Sequence, residues 1–189
     1  MIKIIGGRHR GRSIATPEGL TTRPTSSRAR ESLFNVLMHA RWRADGTSPL
    51  VDARVLDAFA GSGALGLEAL SRGAAHATFL DNDGEAIRLI GESLRKLGEA
   101  ANARAIRADA TRPPAAREAC ALAFLDPPYR SGLAAPALEA LAAAGWLAPE
   151  AIATVELGSG EDLVPPTAFE SVDERRYGAA KIVILRHTP

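Results

Sequence analysis

The stretch from Val55 to Gly66 leaves few folds open to this chain. A mostly apolar run, Val55-Leu56-Asp57-Ala58-Phe59, is followed after Ala60 by Gly61-Ser62-Gly63-Ala64-Leu65-Gly66. The second piece is a G-x-G-x-x-G motif standing after a strand and opening a helix. Glycines in that setting permit a tight turn and let the backbone come close to a ligand. The motif is weak alone; between strand and helix it marks a βαβ unit. Asp81 lies 20 residues after Gly61 and closes the next apolar run, Ala77-Thr78-Phe79-Leu80. A carboxylate there can accept both hydroxyls of a ribose, so a nucleoside-containing cofactor is expected.

The alternation continues along the chain. Further strands are read at 103–107, 122–125 and 152–157, with helices at 64–72, 85–97 and 136–144. Such alternation predicts an α/β sheet, mainly parallel, with helices on both faces. Two last strands, 169–172 and 180–186, have no helix between them, which predicts an antiparallel edge. Upstream, Ile2 to Ile5, a Gly6-Gly7 turn and Arg8 to Ile14 read as a hairpin. A helix follows through Leu33, Phe34, Val36 and Leu37, with Thr25 or Ser26 as its cap. Residues 1–43 thus read as an N-terminal hairpin-and-helix extension, and 44–189 as the main α/β domain.

Acids follow strand after strand: Asp57, Asp81, Asp109 and Asp126. In an open parallel sheet they face one crevice at the carboxyl ends of the strands. A dinucleotide would set its pyrophosphate at the helix N-terminus, beside the Asp57 carboxylate, which is unfavourable. The acid suits a cationic amino-acid moiety instead, so S-adenosylmethionine fits better than NAD, with Asp109 placed to accept from an adenine amino group. Asp126-Pro127-Pro128-Tyr129 closes the run Leu122–Leu125. Two prolines donate no backbone hydrogen bond and fix an extended loop. Its carboxylate and the Pro127 carbonyl can accept from a ring amino group and orient the nitrogen toward a methyl carbon. Tyr129 can stack on the ring, and a base in a structured nucleic acid has to be splayed out to reach it. The loop alone indicates an amino-methyltransferase. A DNA enzyme of that kind, an oxidoreductase and a silent RNA-binding protein are the rival readings.

Composition narrows the partner. The net charge of +1 hides an asymmetry: residues 1–30 carry seven cations against Glu18, a balance of +6, and the remainder carries 16 cations against 21 acids, a balance of −5. A basic arm on a mildly acidic body points to a polyanion. Arg8, Arg10, Arg12, Arg28 and Arg30 are the candidate phosphate contacts. The one cysteine, Cys120, cannot form an internal disulfide and reads as buried packing, as do Trp42 and Trp146. His9, His39, His76 and His187 have no metal-ligand company, so no metal is expected. No apolar run has the length of a membrane span and no signal sequence opens the chain. A cytoplasmic monomer is the expectation.

From end to end the chain resembles the bacterial 16S rRNA guanine-N2-methyltransferase family, the RsmD type. The resemblance lies in Ile4-Ile5-Gly6-Gly7 with Arg10-Gly11-Arg12, Arg23-Pro24-Thr25 with Arg28, Arg30-Glu31 with Leu33-Phe34-Asn35, the segment Asp57 to Gly73, the Asp126–Tyr129 loop and Gly145-Trp146-Leu147. It implies a class I S-adenosylmethionine-dependent methyltransferase fold, Rossmann-like with a mainly parallel seven-stranded sheet, plus an N-terminal β-hairpin. It also implies methyl transfer to the 2-amino group of one guanine in 16S rRNA, free or in an assembling small subunit. Carried over by position, Asp57, Gly61 and Gly63 would line the methionine part, and Asp81 would hold the ribose. Asp109 would lie beside the adenine, and Arg23 and Thr25 would cover the cofactor. Asp126, which would also border the cofactor, Pro127 and Tyr129 would hold the target base. Two positions depart from the family pattern: Ser27 stands where an acid is common, and Asp81 where a longer glutamate is.

Overall fold

The computed structural model describes residues 2–16, 27–43 and 45–189. Its elements, in chain order, begin with β1 (Ile2–Lys3), β2 (Ser13–Ile14), α1 (Ser27–His39), β3 (Arg54–Ala58) and α2 (Ala64–Ser71). Next come β4 (His76–Asp81), α3 (Gly84–Leu97), β5 (Ala103–Arg107) and β6 (Cys120–Leu125). The chain ends with α4 (Ala134–Ala143), β7 (Leu147–Gly158), β8 (Phe169–Tyr177) and β9 (Ala180–His187). The seven-stranded sheet has the order β5-β4-β3-β6-β7-β9-β8. Its first five strands are parallel; β9 runs antiparallel to β7, and β8 to β9. Strand order reverses between β3 and β6, which opens a crevice at their carboxyl ends.

The central parallel strands are largely apolar because both faces are covered, whereas the edge strand β5 carries Arg104 and Arg107. On one face Val55, Phe79 and Phe124 pack with Leu67 and Leu70 of α2, Ile90 and Leu94 of α3, and Leu33, Phe34 and Leu37 of α1. On the other, Leu56, Ala123 and Leu125 pack with Leu138 and Leu141 of α4 and with Trp146. Helix α3 ends where the sequence places its stop, at Gly98 in the left-handed conformation, and at its start the Asp83 carboxylate accepts from the Glu85 N–H.

Four strands differ most in extent from the reading of the sequence. β7 starts five residues earlier than expected. Pro149 argues against a strand there, but positive φ at Glu150 and a shifted register on β6 between Cys120 and Leu122 absorb it. β8 runs on through Asp173-Glu174-Arg175-Arg176, charges that suit an edge strand. The hairpin strands shrink to two residues each, the Gly11 N–H donating to the Ile4 carbonyl at 2.9 Å. The expected caps of α1, Thr25 and Ser26, lie outside the described residues.

The N-terminal extension is joined to the rest by a buried carboxylate. Glu68 of α2, 0% exposed, accepts from the Ile5 and Gly6 N–H groups, each at 2.8 Å, and from Arg72 Nε at 2.7 Å. Arg72 in turn lies over the Phe34 ring, 5.3 Å from its centroid. A second acid, Glu99, takes Arg8 at 2.7 Å and His9 Nε2 at 2.5 Å. Ile4, Ile14 and Phe34 belong to the same cluster as the sheet residues, so hairpin, α1 and sheet share one core.

Candidate active site

The glycine loop is held from both sides. Asp57, on the penultimate residue of β3 and 1% exposed, accepts from the Gly66 N–H at 2.8 Å. That N–H is one of the first-turn donors of α2 that have no partner within the helix. From the β4 side, Asp81 accepts from the Gly61 N–H at 2.7 Å, and its other oxygen takes the Asp83 N–H at 2.9 Å. The spacing of 20 residues thus becomes a direct contact. Gly61 and Gly63 have φ of +52° and +75°. Gly66 has no room for a side chain, since an added Cβ would lie 2.3 Å from the Phe79 ring. Phe59, between strand and loop, also has positive φ, at 62°. Strain of this kind in a non-glycine residue persists where the surroundings over-determine it, and it clusters at ligand sites.

Beside this loop, β6 delivers Asp126 to Tyr129. Pro127 is buried, while Tyr129 exposes 45% of its surface. The Tyr129 hydroxyl turns inward and donates to Glu156 of β7 at 2.8 Å. The backbone N–H of Arg130, a residue at φ 58°, donates to Glu161. Along the carboxyl edge of the sheet the acids stand in strand order: Asp109, Asp81, Asp57, Asp126, Glu156. Adjacent strands are about 4.8 Å apart, so the row spans about 19 Å.

Electrostatics mark the centre of the row. Burial, with added repulsion from Asp81, raises the Asp57 carboxyl to about 8 despite the Gly66 hydrogen bond. Burial also pushes the Asp126 carboxyl well above its usual range, with Glu156 and then Asp57 reinforcing the shift. Desolvation, the Glu156 hydrogen bond and that carboxylate hold the Tyr129 phenol well above its ordinary value. Asp109 is different. It is exposed, and hydrogen bonds from the Thr111 N–H and hydroxyl hold its carboxyl below the usual range. Carboxyl groups whose ionised forms a nearby cation would favour, lined by open glycine backbone, fit a cationic nucleoside. Among the described residues no group of three His, Cys, Asp or Glu side chains could hold a metal.

The structure therefore brings Asp57, Gly61, Gly63, Asp81, Asp126, Pro127 and Tyr129 into one crevice, with Asp109 at its outer end. Arg23 and Thr25, expected over the cofactor, lie outside the described residues. Of the candidate phosphate contacts, Arg10, Arg12 and Arg28 are exposed, and Arg8 is half exposed while paired with Glu99. Arg30 is a correction. It is 3% exposed, donates to the Lys3 carbonyl at 2.7 Å and lies 3.8 Å from Glu68. It is part of the junction under the hairpin and cannot reach a phosphate. Two acids escaped the sequence reading. Glu156 had a signal, a lone charge in the apolar run Ile152–Leu157; Glu161, in a polar loop, had none.

The strand order, the glycine loop and the strand-end acids together define a class I S-adenosylmethionine-dependent methyltransferase fold. The family described as conserved hypothetical protein 95 matches residues 2–186. Ribosomal RNA small subunit methyltransferase D of Escherichia coli K12 is 44% identical over 156 residues, which cover 82% of this chain and 74% of that one. The Haemophilus influenzae protein of the same name is 33% identical over 184 residues, 94% of this chain and 89% of that one. The solved structure of yhhF from Escherichia coli matches with a TM-score of 0.82 at 38% identity, covering 98% and 97% of the two chains. The chain belongs to the ribosomal RNA small subunit methyltransferase D family.

Proposed function

We propose that this chain moves a methyl group from S-adenosylmethionine to the exocyclic N2 of one guanine in small-subunit ribosomal RNA. The observation that carries this reading is the position of the Asp126–Tyr129 loop. It leaves β6 directly beside β3, the strand that feeds the glycine loop. A ring held by the first loop therefore lies next to a cofactor held by the second. The names of the Escherichia coli and Haemophilus relatives support the choice of ribosomal RNA. The choice of guanine N2 rests on the family resemblance.

In this reading Asp57, Gly61 and Gly63 border the methionine part, Asp81 the ribose and Asp109 the adenine, with Asp126 at the reacting end. Arg23 and Thr25 belong to the same assignment. Bound there, S-adenosylmethionine supplies an electrophilic methyl on a sulfonium. The chain's part is orientation and charge. The Asp126 carboxylate and the Pro127 carbonyl accept from the guanine amino group, which turns the nitrogen lone pair out of conjugation and toward the methyl carbon. Tyr129 stacks on the splayed base with the exposed side of its ring. Residues 1–43 serve as the RNA-facing extension, with Arg8, Arg10, Arg12 and Arg28 toward phosphates, and 44–189 as the catalytic domain of a monomer working in the cytoplasm.

Incubation with methyl-labelled cofactor and either undermethylated small subunits or naked 16S rRNA, followed by mapping of the label, tests the reading. One labelled guanine, carrying the methyl on N2, is expected. Label on another base, or on no RNA, overturns it.

A further inference from the structure

We propose that Glu156 is a positioning residue of the target-base loop: it holds the phenol end of Tyr129 so that one face of the ring stays presented to a base. The proposal rests on the methyltransferase reading above. Its starting point is an acid in an expensive place. Glu156 is 6% exposed in a strand whose neighbours Ile152, Ala153, Val155 and Leu157 are all buried. It follows Val155, and Asp126 follows Leu125, which is the partner of Val155 in the parallel register. Two carboxylates therefore sit level on adjacent strands, an arrangement that opposes stability. A buried acid holds such a place only with polar partners.

One contact that Glu156 makes gives this carboxylate a task. Tyr129 follows two prolines, exposes 45% of its surface, and would turn among rotamers without an anchor. The 2.8 Å hydrogen bond from its hydroxyl to Glu156 fixes the far end of the ring. A second clamp acts one residue on. Glu161 takes the N–H of Arg130, which lies in the left-handed region, and its other oxygen takes the Gly158 N–H at 2.7 Å. The ring is held at its tip and just beyond its backbone, both times from β7 and the turn after it. A base stacking on a ring already held gives up less freedom than one that must order the ring as it binds.

Glu156→Leu, Glu156→Gln, Tyr129→Phe and the double variant Glu156→Leu/Tyr129→Phe test the proposal through kcat and KM on small-subunit rRNA, Tm and phenol titration. The chain has two tyrosines, Tyr129 and Tyr177, so subtracting the Tyr129→Phe spectrum isolates Tyr129. Glu156→Leu and Tyr129→Phe should each lower kcat by roughly 10- to 100-fold, the range that misplacement of reacting groups produces. KM for S-adenosylmethionine should stay unchanged. The double variant should lose no more than either single one, because both remove the same hydrogen bond. Glu156→Gln, which keeps an acceptor, should recover part of the loss. Tm of each variant reports whether the fold is intact. In Glu156→Gln the phenol should ionise at lower pH than in the wild type. An unchanged kcat in Glu156→Leu, losses that multiply in the double variant, or an unmoved phenol titration each overturns the proposal. Should Glu156→Leu fail to fold, the Glu156→Gln titration decides alone. A wild type that methylates no rRNA sinks the proposed function instead, and the titration still judges the anchor.

Discussion

At the scale of single residues, the carboxylates of the crevice do different work because their surroundings differ. Asp57 is sealed under the glycine loop, and its carboxyl is raised from 3.8 to about 8. Between those values the folded chain keeps a proton that the unfolded chain has released. The stability that Asp57 contributes is therefore fully present below about pH 4 and is lost as pH rises toward 8. Thermal denaturation of wild type and Asp57→Asn at pH 5 and pH 8 checks this: the wild type should lose more stability over the interval than the variant, and parallel slopes would refute it. A cation beside Asp57 favours the ionised form, so affinity for S-adenosylmethionine should tighten across the same interval in the wild type and less in the variant. Asp126 carries the chemistry in the proposed function. Asp126→Ala should cost on the order of 100-fold in kcat with the fold intact, measured as methyl transfer to rRNA; near-normal turnover would remove it from the site.

At the scale of elements, glycines and buried acids set how the pieces meet. An added Cβ at Gly66 would collide with Phe79 at 2.3 Å, deep between α2 and β4. Gly66→Ala should therefore destabilise the chain by about 1–3 kcal/mol, as overpacking does, read from denaturant unfolding. Gly7 meets a harder limit, with positive φ and the Ser71 carbonyl 1.9 Å from any Cβ. Almost every element was legible, since periods of two and of 3.6 residues survive in single segments. The miss at β7 came from Pro149, which local rules count against a strand and which the structure accommodates with one positive φ at Glu150. β8 was cut short because an exposed edge strand needs no apolar alternation. Asp57, Asp81 and the Asp126–Tyr129 loop were legible because each lies at or just past the end of a strand. Glu156 was readable only as an anomaly, since nothing in its own segment says that a tyrosine 27 residues earlier comes back to meet it.

At the scale of the whole molecule, the N-terminal extension is both a candidate RNA contact and a structural part. Removing residues 2–15 would strip Glu68 of two donors and take Ile4 and Ile14 out of the core. Such a deletion should lower Tm and weaken cofactor and RNA binding together. Arg10→Ala/Arg12→Ala keeps the Glu68 and Glu99 contacts and removes from the junction only the exposed Arg12 hydrogen bond to the Lys96 carbonyl, so it separates the roles. It should weaken RNA binding with unchanged cofactor affinity, and flatten the salt dependence by about 0.7–0.9 in log–log slope for each phosphate no longer neutralised. An unaltered slope would place those arginines off the RNA. The amino-acid order alone was enough for the alternating fold, the glycine loop, the strand-end acids and the sense of the basic arm, because all of these are written in local periodicity and local charge. Tertiary structure decided which charges are available. It buried Arg30 against Glu68 while leaving Arg10 and Arg12 exposed, sealed Asp57 while opening Asp109, and set Glu156 under Tyr129. Burial and charge pairing arise from residues far apart in the chain, and they, more than residue type, govern what a carboxylate or a guanidinium can do.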